Sequence, residues 1–259
     1  MYKLGIIGLG KMGLSILNGI TKSNIYNKED IILYDKFPIN NSDYKIADDI
    51  NDVLSNSEII FLAIKPQNLT DIKEDAIKYD YNNKCIISIL AGIAINKLAD
   101  IFKNATIVRA MPNTPALIGM GVATVSTNNK NSSFYNDAIN IFSSIGKAYK
   151  VDEEDIDKLL PLNGSMPAYI YYYAKGFIDE AVKMGIDYEI AKQVCCESMI
   201  SSCNLVLNSS DDINTLINNV CSKGGTTIAG LDKLKENGID KSISECYLAC
   251  FNRSKELGK

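Results

Sequence analysis

The pattern of apolar and polar residues divides the chain into two halves. In the first half, short apolar and β-branched runs alternate with segments of helical spacing, which is typical of a parallel sheet with crossover helices. Each run is almost continuously apolar, as expected for strands covered on both faces. The predicted strands are LGIIG, DIILYD, EIIFLAI, CIISIL and ATIVRAM, followed later by GVATVST and AYKV.

The predicted helices of this half cover residues 13–21, 51–56, 66–79 and 96–102. From about Glu153 the strand pattern stops, and one apolar stripe at helical spacing comprises Ile170, Tyr173, Phe177, Ala181 and Met184. We therefore predict a Rossmann-type doubly wound α/β domain over residues 1–152 and an all-helical domain over residues 153–259.

Composition narrows the possible chemistry. The net charge of −4 argues against nucleic-acid binding, and no apolar run is long enough to cross a bilayer. The first residues lack the pattern of a signal peptide, so we expect a cytoplasmic protein. The chain has seven cysteines without a C-x-x-C pair and no histidine, which argues against a metal site and excludes histidine-based nucleophilic catalysis.

The motif GLGKMG follows the first predicted strand and precedes a helix. Its first glycine permits a tight turn, the second lets the backbone approach a pyrophosphate, and the third allows close helix packing. The N-terminus of the helix attracts the phosphate charge. The motif predicts a dinucleotide site that includes Gly8, Gly10, Lys11, Met12 and Gly13, and a glycine-rich turn without a ligand is the alternative.

Asp35 ends the second predicted strand, about 20 residues after the glycine motif. A carboxylate at this place binds the ribose hydroxyls and repels a 2′-phosphate, which favours NADH over NADPH. Lys36 acts in the opposite direction. The alternative for Asp35 is a cap of the turn.

Two further loops follow strands at the edge where doubly wound sheets bind ligands. The sequence FLAIKPQ places Ala63, Ile64, Lys65 and Pro66 in one of them, and RAMPNTPA places Met111, Pro112 and Asn113 in the other. We predict that both contact the cofactor. The alternatives are a solvated surface lysine and a connection stiffened by proline.

Six segments in this order resemble the pyrroline-5-carboxylate reductase family: GLGKMG, AIKPQ, RAMPNTPA, GSMPAY, GGTTIAGL and RSKEL. The resemblance covers essentially the whole chain. It implies an NADH- or NADPH-dependent reduction of the cyclic imine L-1-pyrroline-5-carboxylate to L-proline, the last step of proline biosynthesis. It also implies a helical domain that interlocks with its twin in a homodimer, with rings of dimers in some members.

The stretch SKGGTT opens a predicted helix, whose free N–H groups suit a carboxylate substrate. Ser222, Gly225 and Thr226 are the predicted carboxylate cradle, and ordinary helix capping is the alternative. The resemblance places Thr227 beside the imine nitrogen, as the catalytic residue. It also implies that Asn219 contacts the cofactor and that Glu153 lies near the amine of the substrate.

The chain departs from the usual family pattern at a few positions. Asn163 and Met166 replace the serine and glycine of SGSGPAY, Leu160 stands where a threonine is common, and Lys223 replaces a proline. A divergent paralogue that reduces another cyclic imine therefore remains an alternative. A β-hydroxyacid dehydrogenase would need a lysine where Ile170 stands, and a non-catalytic dinucleotide sensor would lack the cradle.

Overall fold

The computed structural model describes residues 1–38 and 43–257. The chain forms two compact units, Met1–Pro167 with Cys250–Lys259 and Ala168–Ala249. The predicted fold class is confirmed, because a Rossmann-type sheet is followed by helices alone among the described residues from 153 to 257. The predicted domain boundary between residues 152 and 153 stays a prediction.

Within the described residues, the first unit contains one eight-stranded sheet of order β3-β2-β1-β4-β5-β6-β7-β8. Neighbouring strands are parallel except β6 and β7, which are antiparallel. The strands are β1 Tyr2–Ile7, β2 Ile31–Tyr34, β3 Lys45–Ile46, β4 Ser57–Leu62, β5 Cys85–Ser88, β6 Thr106–Met111, β7 Gly121–Thr127 and β8 Gly146–Lys150.

The antiparallel pair follows from the length of its connection. Only a short 3₁₀ turn, Thr114–Ile118, separates β6 from β7, and a parallel partner needs a longer crossover. The chain between β7 and β8 contains a helix, and those two strands are parallel. The two-residue strand β3 was not predicted, since it is too short to have a recognisable apolar pattern.

Both faces of the sheet are covered by apolar side chains. Leu4 and Phe61 pack into one buried cluster, whereas Ile7 and Leu62 pack into the other. Successive side chains of a strand point to opposite faces, so a continuous apolar run supplies both clusters. This arrangement explains why the apolar runs of the strands were recognised in the sequence.

Six helices of the described chain belong wholly to the first unit: α1 Lys11–Lys22, α2 Ile50–Asn56, α3 Leu69–Ala76, α4 Ile95–Ile101, α5 Ser133–Ser143 and α6 Glu153–Leu159. The prediction of one helix over residues 66–79 is wrong at both ends. A 3₁₀ turn at Pro66–Asn68 precedes α3. The helix ends after Ala76, because the N–H groups of Lys78 and Tyr79 donate to carbonyl oxygens only three residues earlier in the chain. The apolar spacing of the sequence continues across both ends of α3, so it does not indicate where the helix begins or ends.

The second unit is built from helices that bury little of their apolar surface. Its buried cluster consists of Ala174, Ile178 and Ala191, whereas Phe177 is 54% exposed and Tyr172 is 82% exposed. Among the described residues, no helix is long and apolar enough to span a membrane. The remaining helices are α7 Met166–Lys183, α8 Tyr188–Asn208, α9 Ile213–Val220, α10 Thr226–Glu236 and α11 Ile239–Leu257.

Candidate active site

The glycine turn between β1 and α1 has three glycines in three different environments. Gly8 has φ +100°, and a Cβ there would lie 2.7 Å from the carbonyl oxygen of Ala63. A Cβ on Gly13 would lie 2.1 Å from the carbonyl oxygen of Gly8. A Cβ on Gly10 would meet no atom within 4 Å in the part of the chain that the structure describes, its chain neighbours aside. The first and third glycines are therefore required by the fold, and only Gly10 faces open space.

The N-terminus of α1 lies directly behind this open position. Gly10 is the N-cap residue and supplies no side-chain cap. The N–H groups of Lys11, Met12 and Gly13 belong to the first turn, where a helix offers no acceptor of its own. Free amides and the helix dipole together suit an anionic group at this turn.

Asp35 braces the glycine turn. Its Oδ2 accepts a hydrogen bond from the backbone N–H of Leu9 at 2.6 Å, and its Oδ1 accepts one from the N–H of Phe37 at 2.9 Å. These two contacts support the interpretation of Asp35 as a cap of the turn. The same residue also lines an adjoining cleft, so a ribose contact and the brace are compatible.

This cleft has a volume of about 690 Å³ and lies in the first unit. Its charged lining is mixed, because Lys36 lies 3.8 Å from Asp71 in an exposed ion pair and Asp75 lies nearby. Pro66 follows the lining residue Lys65 and begins the 3₁₀ turn before α3. The predicted cofactor residues in the lining are Gly8, Gly10, Asp35, Ala63, Ile64 and Lys65.

Met111, Pro112 and Asn113 lie outside the described lining of this cleft, at the end of β6. Asn113 is 9% exposed, and its Oδ1 accepts a hydrogen bond from the N–H of Val122 at 2.8 Å. Its Nδ2 donates to the carbonyl oxygen of Asn163 at 3.3 Å, and Asn163 Nδ2 donates to the carbonyl oxygen of Met111 at 2.5 Å. No motif in the sequence indicates this pairing of Asn113 with Asn163.

Glu153 participates in a partly buried ionic network. The buried guanidinium of Arg109 lies 3.5 Å from Glu153 and donates to Asp157 at 2.7 Å. Glu153 Oε1 also accepts from the N–H of Ile95 at 2.6 Å, and Ser254 donates to Asp157. These contacts account for the carboxylate of Glu153 without a ligand, so its predicted place near the substrate stays a prediction. An arginine inside the apolar strand ATIVRAM was the signal that such partners exist.

In the second unit, α10 begins at Thr226 without a side-chain cap, and Gly225 is its N-cap residue. Among the described hydrogen bonds, none joins a side chain of SKGGTT to the first turn of α10, so the capping alternative is not supported. The N–H of Gly225 donates to the carbonyl oxygen of Ser222 at 3.0 Å. A Cβ on Gly225 would lie 2.4 Å from Ser222 Oγ, so the glycine leaves room for this hydroxyl.

The remaining predicted residues are exposed. Thr226 and Thr227 lie on the first turn of α10, and Asn219 lies near the end of α9. Of the departures from the family pattern, Lys223 is exposed in the turn before α10, Met166 begins α7, and Leu160 follows α6. A Cβ on Gly164 would lie 2.7 Å from Leu160 Cδ1, so these two residues are packed closely.

Comparisons with known proteins cover the whole chain. Residues 153–257 match a family model described as pyrroline-5-carboxylate reductase dimerisation, and residues 3–92 match one described as NADP oxidoreductase coenzyme F420-dependent. The pyrroline-5-carboxylate reductase of Synechocystis sp. is 31% identical, with 99% of this chain and 98% of the relative covered. The enzyme of Escherichia coli is 30% identical, with the same shares covered.

Solved structures agree with these relatives. The structure of Plasmodium falciparum pyrroline carboxylate reductase with NADP bound matches with a TM-score of 0.91 at 30% identity, covering 100% of this chain and 98% of that one. The Streptococcus pyogenes enzyme matches with a TM-score of 0.87 at 27% identity, covering 98% of each chain. The chain therefore belongs to the pyrroline-5-carboxylate reductase family.

Proposed function

We propose that the protein reduces L-1-pyrroline-5-carboxylate to L-proline at the expense of NADH or NADPH, as the last step of proline biosynthesis. The observation that carries this proposal is the uncapped start of α10, in a chain whose relatives over the full length are named for this reaction. A dinucleotide-binding protein without catalysis would have no use for an anion cradle in a second unit.

The first unit is suited to hold the dinucleotide. The open space at Gly10 leaves room for a pyrophosphate against the first-turn N–H groups of Lys11, Met12 and Gly13. Asp35 would line the adenosine side after β2, Ala63 to Pro66 would lie at the end of β4 next to the glycine turn, and Met111 to Asn113 would lie two strands further on, at the end of β6. A reduced nicotinamide, when bound, supplies the hydride that no side chain can provide.

The second unit would hold the substrate. The hydroxyl of Ser222 and the N–H group of Thr226 are donors that match the two oxygens of a carboxylate. The N–H of Gly225 donates to the carbonyl oxygen of Ser222, so it would reach a carboxylate only by leaving that bond. The hydroxyl of Thr227 would accept from or donate to the ring nitrogen as it changes from imine to amine. A protonated imine is already electrophilic, so the protein needs only to bind it and orient it toward the hydride donor. A histidine is not required for this step.

The direct test is an assay of the purified chain with pyrroline-5-carboxylate and each cofactor in turn, with proline measured as the product. We expect stoichiometric oxidation of NADH or NADPH and formation of proline. Reduction of a different cyclic imine without proline formation would replace the substrate. Tight dinucleotide binding with no turnover of any imine would indicate the sensor instead.

We further propose that the active form is a homodimer, with the helical unit at its interface. The exposed apolar side chains of α7 and α8 form a larger apolar surface than soluble monomers usually expose to water. The family model that matches this region describes a dimerisation domain. A ring of dimers and a cytoplasmic location stay predictions, as do contacts of Asn219 with the cofactor and of Glu153 with the substrate.

A further inference from the structure

Two asparagines tie the loop after β6 to the segment between α6 and α7. Asn163 is 4% exposed, and its Nδ2 donates to the carbonyl oxygen of Met111 at 2.5 Å. In return, Asn113 Nδ2 donates to the carbonyl oxygen of Asn163 at 3.3 Å, while Asn113 Oδ1 accepts from the N–H of Val122. We call these three contacts the asparagine clamp. It fixes the end of β6 against its antiparallel neighbour β7.

Packing alone does not explain an asparagine at position 163. Its Oδ1 is buried and has no hydrogen-bond partner among the described residues. Burying an unpaired carbonyl oxygen lowers stability, so a side chain selected only to fill this space would be apolar. What Asn163 supplies is the N–H that holds the carbonyl of Met111.

The place of the clamp in the sheet connects it to the reaction. In a doubly wound sheet the two halves of a dinucleotide bind on either side of the strand where the order reverses. The glycine turn and Asp35 follow β1 and β2, whereas Met111 ends β6 on the opposite half. The segment that the clamp fixes therefore belongs to the nicotinamide side.

We propose that Asn163 is a positioning residue for hydride transfer, because it fixes the backbone of Met111 to Asn113 beside the nicotinamide. This inference rests on the proposed function. Hydride transfer requires near-contact between the two reacting carbons, and a displacement of about 1 Å can cost roughly a hundredfold in rate. Asn163 acts through the loop and does not contact the reacting atoms.

The test compares Asn163→Ala with the isosteric Asn163→Asp. We expect Asn163→Ala to lower kcat about tenfold, with little change in the KM for the imine or in the affinity for ADP-ribose, which lacks nicotinamide. In Asn163→Asp a carboxyl can donate to Met111 only when it is protonated. Its kcat relative to the natural chain should therefore rise as the pH falls from about 8.5 to about 6, in the range where a buried carboxyl titrates.

Asn128 provides a matched control on the other end of β6. Its Oδ1 accepts from the N–H of Ile107, and its Nδ2 donates to the carbonyl oxygen of Ala105. Asn128→Ala should lower the melting temperature like Asn163→Ala but leave kcat unchanged. An equal loss of kcat in both variants, or natural kcat in Asn163→Ala, would overturn the proposal.

A readout without substrate separates this inference from the proposed function. Calorimetry should show that Asn163→Ala weakens NADH binding relative to ADP-ribose binding, while Asn128→Ala leaves the ratio unchanged. If the natural chain reduces no pyrroline-5-carboxylate, the proposed function fails and this ratio still tests the clamp. An unchanged ratio in Asn163→Ala would overturn it, and Asn163→Asp serves for the same comparison if the alanine variant does not fold.

Discussion

The carboxylate of Asp35 accepts a hydrogen bond from the backbone N–H of Leu9, with 2.6 Å between the two atoms. This contact joins the end of β2 to the glycine turn. The same carboxylate faces the cleft that we assign to the dinucleotide. Asp35 therefore combines a structural brace with a negative charge at the predicted ribose site, and substitutions can separate the two.

We expect Asp35→Asn to raise the ratio of kcat/KM for NADPH to that for NADH by about tenfold, equivalent to ~1.4 kcal/mol, because repulsion of the 2′-phosphate is removed. The amide still offers one acceptor to the turn. Asp35→Ser should change the ratio in the same direction but also lower the melting temperature, since its shorter side chain loses the contact with Leu9. An unchanged ratio in both variants would place Asp35 outside the ribose site.

Gly10 and Gly13 should respond differently to the same added methyl group. Gly10→Ala should retain the melting temperature, because no atom of the described residues beyond its chain neighbours lies within 4 Å of the added Cβ. It should weaken dinucleotide binding by tenfold or more. Gly13→Ala should lower the melting temperature, because its Cβ would lie 2.1 Å from a backbone oxygen. Thermal unfolding and calorimetry with ADP-ribose measure both effects. A stable Gly10→Ala variant with full affinity would remove the pyrophosphate from this turn.

Substitutions in the cradle should separate binding from chemistry. Ser222→Ala should chiefly raise the KM for the imine, since its hydroxyl would contact the carboxylate in both the ground state and the transition state. Thr227→Ala should chiefly lower kcat, since its hydrogen bond matters most as the ring nitrogen changes character. Each loss is worth about 1.5 to 3 kcal/mol, or roughly ten- to a hundredfold.

Steady-state kinetics and thermal unfolding of both variants check this prediction. The folded state should persist, since neither hydroxyl caps α10 among the described hydrogen bonds. Thr226→Ala is a matched control for the loss of a hydroxyl on the same turn, because only its backbone N–H is assigned to the cradle. Unaltered kcat and KM in Thr227→Ala, with a lower melting temperature, would make this threonine a structural residue.

The helical unit should associate through its apolar side chains. Sedimentation equilibrium at micromolar concentration should give a dimer, and the melting temperature should rise with protein concentration. Phe177→Glu should shift the equilibrium toward monomer, because Phe177 is 54% exposed on α7. Lys175→Gln, at an exposed polar position of the same helix, is the control. A stable monomer of the natural chain would contradict the homodimer.

The sequence predicted the parts of the fold that depend on local pattern. The strands were predicted because both faces of the sheet are buried, and the glycine turn because Gly8 and Gly13 are required sterically. The stripe through Tyr173 and Phe177 predicted a helix correctly, but those side chains are exposed, and spacing alone cannot tell a chain's own core from a surface that a partner covers.

The candidate site was predicted only where one short segment carries the chemistry. GLGKMG and SKGGTT are such segments, and each precedes a helix whose N-cap glycine makes no side-chain cap. The ligand contacts of both segments stay predictions. The asparagine clamp was missed because Met111 and Asn163 are 52 positions apart and asparagine has no characteristic spacing. For Asp35 the sequence analysis named a cap of the turn as an alternative but not its partner, since the backbone N–H of Leu9 leaves no trace in a sequence.

The course of α11 has a consequence for how the protein is made. Its last turns group with the first unit, and Ser254 donates to Asp157 beside the buried Arg109. During synthesis the sheet of the first unit emerges from the ribosome long before these residues do. The ionic network is therefore incomplete until almost the whole chain has been translated, so the N-terminal unit cannot complete its packing before the end of α11 has been made.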